Sequence, residues 1–235
     1  MMAVIRQMKK KNTLAALTIP RLCIEARTFS ATESKHTEHT LFGVTDGKAV
    51  GTYLELKFRV YLIDKGYGFE EGNAANGLDF PSLNVDMKVT SIKQPQSSCP
   101  FRSIRQKIYG LGYSLIVFVY DKKDDEKTRT ATLRITDTIY VEAKRTADFQ
   151  MTKGLLEILD KEGNEDDVMA FMASRHLTAD EIELNTLAAH VMQNRPEQGY
   201  LTISPALQWR LQYKRVIAKA GNVDGIDSVY KGGGA

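Results

Sequence analysis

The run Ser114-Leu-Ile-Val-Phe-Val-Tyr120 constrains the fold most, because it is almost wholly apolar yet much too short to span a membrane. Gly110-Leu111-Gly112 breaks the chain before it, and the charged stretch Asp121 to Glu126 reads as a turn after it. A short apolar run bounded by turn signals reads as a strand buried on both faces, which needs other elements packed above and below. Thr130 to Val141 alternates moderately and is rich in β-branched residues, so it reads as a second strand and a hairpin partner of the first. The expected class is α/β, with a central mixed sheet flanked by helices.

Residues 77 to 91, Gly-Leu-Asp-Phe-Pro-Ser-Leu-Asn-Val-Asp-Met-Lys-Val-Thr-Ser, carry the chemistry. Strand alternation over Asn84 to Ser91 sends Val85, Met87 and Val89 to one face and Asp86, Lys88 and Thr90 to the other. Pro81-Ser82 supplies a turn that folds Asp79 back beside Asp86. Two carboxylates and an ammonium then converge on one polar surface. Mg²⁺ binds through one or two carboxylates together with substrate phosphates, and a lysine beside it orients water or balances charge growing on a phosphate. Phosphodiester hydrolysis suits this set of groups.

Asp79 is followed by six residues, Asp86, one residue and Lys88, and in this the segment resembles the active site of the PD-(D/E)xK nucleases. That superfamily holds most type II restriction endonucleases and the MutH mismatch-repair nicking enzymes, and the spacing here is MutH-like. The chain departs from the usual spelling, since its proline follows Asp79 rather than preceding it. The resemblance covers roughly residues 45 to 142 and implies a restriction-endonuclease-like αβββαβ core, with Asp79 and Asp86 holding Mg²⁺ and Lys88 as the third catalytic group.

The surroundings agree. Asp46 is a fitting N-cap for a helix whose apolar face is Val50, Tyr53, Leu54, Phe58, Tyr61 and Leu62, and Gly66 ends it. Family helices in this position often add a glutamate to the metal site, which makes Glu55 the candidate and Glu70 or Glu71 the fallback. Pro100 fits the first turn of a further helix, Phe101 to Tyr109, with Ser98 or Cys99 as its cap.

Composition bounds the rest. A chain of 235 residues with 43% apolar and 26% charged residues buries a sizeable core, and a net charge of +3 advertises no broad basic field. Cys23 and Cys99 are too few for a disulfide framework, which suits a reduced bacterial or archaeal cytoplasm. Met1 to Ile19 carries Arg6, Lys9, Lys10 and Lys11 and no acid; it lacks the apolar core of a secretory signal, and reads as an arm for phosphates or a partner subunit or as a solvated helix. A mitochondrial transit peptide shares that composition. Residues 30 to 40 are polar and read as a surface loop, where the spacing of His36 and His39 is also open to a metal.

The expected organisation is an N-terminal helix or arm and loop over 1–44, a nuclease core over 45–163, a mostly helical section over 164–231 for DNA recognition or dimerisation, and a flexible glycine tail over 232–235. A helix is expected at 147–159, at the end of the core; in the third part helices are expected at 166–174, after the capping box Thr178-Ala-Asp-Glu181, and from Ser204 to Ala220, with a break at Pro196. Arg210 and Lys214 would share one face of the last helix and reach phosphates or a major groove, or simply form a solvated basic face. Trp209 and Tyr213 read as core contacts. Beside the catalytic strand, Gln94, Gln96, Ser97, Ser98 and Arg102 are placed for bases, and Arg105 and Lys107 for phosphates.

The resemblance implies a type II restriction endonuclease that hydrolyses double-stranded DNA at a short specific sequence. It would leave 5′-phosphate ends, act as a homodimer on a palindrome and work alongside a cognate methyltransferase. Two other readings stay open here: a MutH-like nicking or repair nuclease, and a non-catalytic DNA-binding α/β protein in which Asp86 and Lys88 form an ion pair.

Overall fold

The structure, a computed structural model, describes residues 14–70, 77–100, 102–175, 177, 180–204 and 209–233. The basic N-terminal residues, Glu71 and Thr178 lie outside these, as does the last part of the glycine tail. The elements run β1 (Ala15–Ala16), α1 (Ile19–Glu33), β2 (Thr37–Glu38), α2 (Gly47–Asp64), β3 (Tyr67–Gly68), β4 (Val85–Ser91), β5 (Gln96–Cys99), α3 (Gln106–Tyr109), β6 (Ser114–Asp125), β7 (Thr130–Val141), α4 (Phe149–Asp160), α5 (Glu165–Ser174), α6 (Glu181–Gln193), β8 (Thr202–Ser204), β9 (Trp209–Gln212), α7 (Lys214–Lys219) and β10 (Ile226–Lys231).

The apolar run becomes β6, the middle of a mixed sheet ordered β10-β7-β6-β4, in which β4 runs parallel to β6 and the other pairs are antiparallel. Its alternation feeds two cores. Ile116, Phe118 and Tyr120 pack with α1 and α2, including Leu22, Phe29, Leu54, Phe58 and Leu62. Leu115, Val117 and Val119 pack on the opposite side with Ile203, Trp209, Leu211, Tyr213 and Val216. A third cluster joins Ile104 and Ile108 to α4, α5 and α6. Helices therefore cover one face of the sheet, and a small antiparallel sheet ordered β5-β9-β8 covers much of the other. No helix among the described residues is long and apolar enough to cross a membrane.

α2 starts where expected, with the Asp46 side chain accepting from the Lys48 amide at 3.0 Å, and stops at Gly66, whose φ is +83°. Its Phe58 lies in an aromatic cluster with Phe29, Tyr61, Phe80 and Phe118. Phe80 sits between Asp79 and the 3₁₀ turn Pro81–Leu83, and its backbone forms an antiparallel bridge with Val85. A buried ring thus anchors the residue next to Asp79. The acidic hairpin is no longer than this one bridge, because β4 takes β6 as its strand partner.

Several expectations are corrected. Residues 30 to 40 are not a surface loop: α1 continues to Glu33, and Ser30 is buried with its Oγ 2.7 Å from Thr138 Oγ1. His36 lies 3.6 Å from Glu38 and His39 against the Arg129 carbonyl, so neither belongs to a metal cluster. The stretch Asp121 to Asp125 extends β6, and the chain turns later, at Arg129 with φ +55°. Of the described residues in the expected helix Phe101 to Tyr109, only Gln106–Tyr109 are helical, and Gln96–Cys99 is a strand paired with β9, so neither Ser98 nor Cys99 is a cap. Cys99 is drawn into the core beside Tyr113 instead.

The helical C-terminal section extends only to Gln193. The α6 cap is Asp180, which accepts from the Glu183 amide, rather than Thr178. The expected helix from Ser204 to Ala220 is replaced by β8, β9 and the short α7, because Leu211, Trp209 and Ile203 are buried on a strand period of two. Arg210 and Lys214 accordingly sit on different elements and share no helix face. Trp209 and Tyr213 are core residues, as read. Gly232 continues beyond β10, donating to the Thr136 carbonyl at 2.8 Å. Phe80→Ala is expected to cost about 3–5 kcal/mol in urea denaturation, as for other buried aromatic truncations; a loss below ~1 kcal/mol would show that the ring does not anchor this turn.

Candidate active site

β4 is the edge strand of the central sheet, with Val85 and Met87 buried against α1 and α2. Its other face carries Asp86, Lys88 and Thr90. Asp86 is nearly covered, its side chain 6% exposed, and Lys88 Nζ stands 2.7 Å from Asp86 Oδ2. Asp79 folds back as expected: its Oδ2 accepts from the Met87 amide at 2.8 Å, and its Oδ1 pairs with the Arg59 guanidinium. Arg59 Nε is itself buried without a partner.

Burial, then the neighbouring Asp79, pushes the Asp86 carboxyl up to about 7, against the opposing pull of Lys88. Lys88 is buried too, which works against its charge, but Asp86 outweighs this and holds the ammonium above its ordinary value. Glu55, half-buried on α2, is raised by burial and by the Asp79 charge, with Lys88 and Arg59 pulling the other way. Three acids and two cations therefore feel one another in one place. Among the described residues, no three His, Cys, Asp or Glu side chains are gathered so as to hold a metal ion by themselves. The carboxylates form a crowded pair kept in place by Arg59, the Met87 amide and Lys88.

Thr90 connects this strand to the small sheet. Its Oγ1 accepts from the Gln96 amide at 2.9 Å and donates to the Gln96 carbonyl at 3.1 Å. Tyr213, fully buried, places its hydroxyl 2.6 Å from Ser97 Oγ and its amide on the Pro95 carbonyl. Its hydroxyl lies within electrostatic reach of Lys88 and Asp86.

A cleft of about 930 Å³ opens along this junction, lined by Glu55 and Lys88, by Gln94, Gln96, Ser97 and Ser98, and by Arg210. Lys48, Lys93 and Lys122 add positive charge to its walls. The other expected contacts are not brought to it. Arg102 follows β5, its amide donating to Gln106 Oε1. Arg105 donates to His190 Nε2 at 2.6 Å and lies over the Tyr109 ring, against the helical section. Lys107 is half-buried near Asp148, and burial lowers its pKa. Lys214 is exposed at the start of α7. Glu70 is exposed outside the cleft.

Arg59 and Tyr213 were not foreseen as site residues. Arg59 had a signal, since it lies four residues after Glu55 on the same helix and so on the same face. Tyr213 had none beyond its apolar neighbours, because the strand pairing that brings it to Ser97 is distant in sequence. Thr90→Val keeps the shape but removes the hydroxyl's bonds to the Gln96 amide and carbonyl, leaving the amide with the Gln94 carbonyl at 2.8 Å, so a stability loss of about 0.5–1.5 kcal/mol is expected in thermal unfolding; an unchanged melting temperature would show that the contact is dispensable.

Comparison with known proteins bears on the same residues. The family model described as "Type II restriction enzyme NspV" matches residues 16–228. A Nostoc protein named "Type II restriction enzyme NspV" is 62% identical over 218 residues, covering 93% of this chain and 99% of that protein. No solved structure matches.

Proposed function

Because the chain belongs to the NspV family of type II restriction enzymes, we propose that Asp79, Asp86 and Lys88 are its catalytic groups, with Glu55 completing the site from α2. The protein is a site-specific endonuclease. Family membership sets aside the readings as a nicking enzyme and as a non-catalytic DNA-binding protein. The observation that carries the assignment is that Asp79 and Asp86 converge beside Lys88, which with Glu55 lines a cationic cleft. It supports a PD-(D/E)xK reading of the core, in which a helix, a short acidic turn and a strand parallel to the next one follow in order.

The donors fit a hard divalent cation such as Mg²⁺. They are carboxylate oxygens only, and the burial of Asp86 beside Asp79 that raises its pKa disfavours a second negative charge there, which a dication would offset. Asp79 and Asp86 would hold it, with Glu55 nearby, and it would supply Lewis-acid polarisation of the scissile phosphate. Lys88, fixed by Asp86, orients the attacking water and balances negative charge on the phosphate as the bond to the 3′ oxygen breaks, which leaves a 5′-phosphate. Arg59 and the Met87 amide, each bonded to one oxygen of Asp79, would orient that carboxylate as a ligand. The duplex lies along the cleft, and two copies related by a two-fold axis cut both strands of a palindrome in the cytoplasm, where a cognate methyltransferase protects the host site.

Lys88→Ala is expected to lower cleavage of phage DNA by about 10²–10³-fold in the presence of Mg²⁺, the size of effect seen when one transition-state donor is removed, while duplex binding in Ca²⁺ persists. Discrete fragments from the parent protein that vanish with EDTA support the assignment; full activity of the variant contradicts it. Asp86 gives a pH dependence of definite sign. Its folded pKa is raised, so the ionised ligand form is lost below about 7, and cleavage should climb with one-proton dependence as pH rises toward that value. Higher Mg²⁺, which favours the ionised form, should move the climb to lower pH, and a flat profile at every Mg²⁺ concentration would contradict the assignment.

A further inference from the structure

The small sheet β5-β9-β8 has one face whose side chains are all polar. Its register sets Gln96 beside Gln212 and Gln212 beside Thr202, then Ser98 beside Arg210 and Arg210 beside Ser204. Residues directly opposite one another share a face, so these six form two rows across three strands. The reverse face is Cys99, Trp209, Leu211 and Ile203, buried in the second core, with Ser97 bonded to Tyr213. One face thus fixes the sheet to the body and the other is left to present hydrogen-bonding groups.

That polar face continues the candidate active site. Gln96, Ser98 and Arg210 line the same cleft as Glu55 and Lys88. Arg210 is exposed and has no acidic partner among the described residues. Three strands about 4.8 Å apart make a surface on the order of 10 Å across, which matches a B-DNA major groove about 12 Å wide. The Thr90 hydroxyl holds the Gln96 backbone through both its amide and its carbonyl, so a shift of this sheet pulls directly on the strand that carries Asp86 and Lys88.

We propose that this polar face is the element that reads base edges in the major groove, with Arg210 paired to a guanine and Gln96 to an adenine. The inference rests on the nuclease reading above and goes beyond it by assigning sequence discrimination to one small sheet. Arginine matches guanine O6 and N7 bidentately, and glutamine matches adenine N6 and N7. Ser98, Ser204 and Gln212 flank Arg210 and supply further donors and acceptors.

The test is cleavage of a duplex library with a randomised central segment, sequenced after digestion in Mg²⁺ by the parent protein, Arg210→Lys, Arg210→Ala and Gln96→Ala. Arg210→Lys keeps the charge and removes the planar fork. Preference for guanine at one position of the site is expected to relax by roughly 10- to 100-fold in both Arg210 variants. Gln96→Ala should relax adenine at a different position. Variants that lower cleavage of every sequence alike, with preferences unchanged, would mark phosphate contacts and overturn the proposal. So would variants indistinguishable from the parent. A parent protein that folds but cuts nothing in Mg²⁺ would instead defeat the nuclease assignment, and this inference with it.

Discussion

Burial of the Asp86 carboxyl beside Asp79 is the constraint around which the rest of the site is arranged. Two like charges close together are tolerable in water but costly where burial lowers the effective dielectric. The fold meets that cost locally. Arg59 and the Met87 amide take the two oxygens of Asp79, and Lys88 takes Asp86. Each of these partners comes from an element anchored in the first core: α2 by Leu54, Phe58 and Leu62, and β4 by Val85 and Met87. The residual cost shows in Asp86, whose carboxyl is pushed up to about 7, by burial first and by Asp79 second. A site left short of positive charge is one that a dication completes.

The acidic cluster and the cleft meet at β4 because that strand is at the edge of the sheet. Its inward partner β6 is saturated on both faces by apolar contacts, so polar side chains can converge only at the rim. There the Thr90 hydroxyl joins the small sheet to β4 through direct hydrogen bonds to Gln96, while the Tyr213–Ser97 pair fixes β5 to the end of β9. Coupling between the walls of the cleft and its floor then needs no long path through the protein.

How much of this the sequence disclosed depended on how local the cause was. β6, β7, α2 and its Asp46 cap follow from periodicity and capping within a single segment, and all four were legible. So was the alternation of β4 that puts Asp86, Lys88 and Thr90 on one face. Segments 96–99 and 202–212 were not. Ser98-Cys99-Pro100 and Ser204-Pro205 resemble helix starts, and the pairing of β5 with β9, more than a hundred residues away, overrides that local signal. The length of β6 was hidden for a similar reason, since Lys122 to Asp125 look like a turn until β7 pairs with them. Among the DNA-contact candidates, proximity to β4 in sequence located Gln94, Gln96, Ser97 and Ser98 in the cleft, whereas Arg105 and Lys107 turn toward the helical section.

The central claim is that Asp79 and Asp86 jointly hold a divalent cation beside Lys88. The most direct measurement is anomalous diffraction from crystals of the protein grown with a duplex containing its site and with Mn²⁺ in place of Mg²⁺. The account predicts a manganese peak bonded to oxygens of both aspartates, with Lys88 Nζ facing the scissile phosphate. A cation bound elsewhere in the cleft, or one that leaves either aspartate uncoordinated with metal and DNA present, would contradict it.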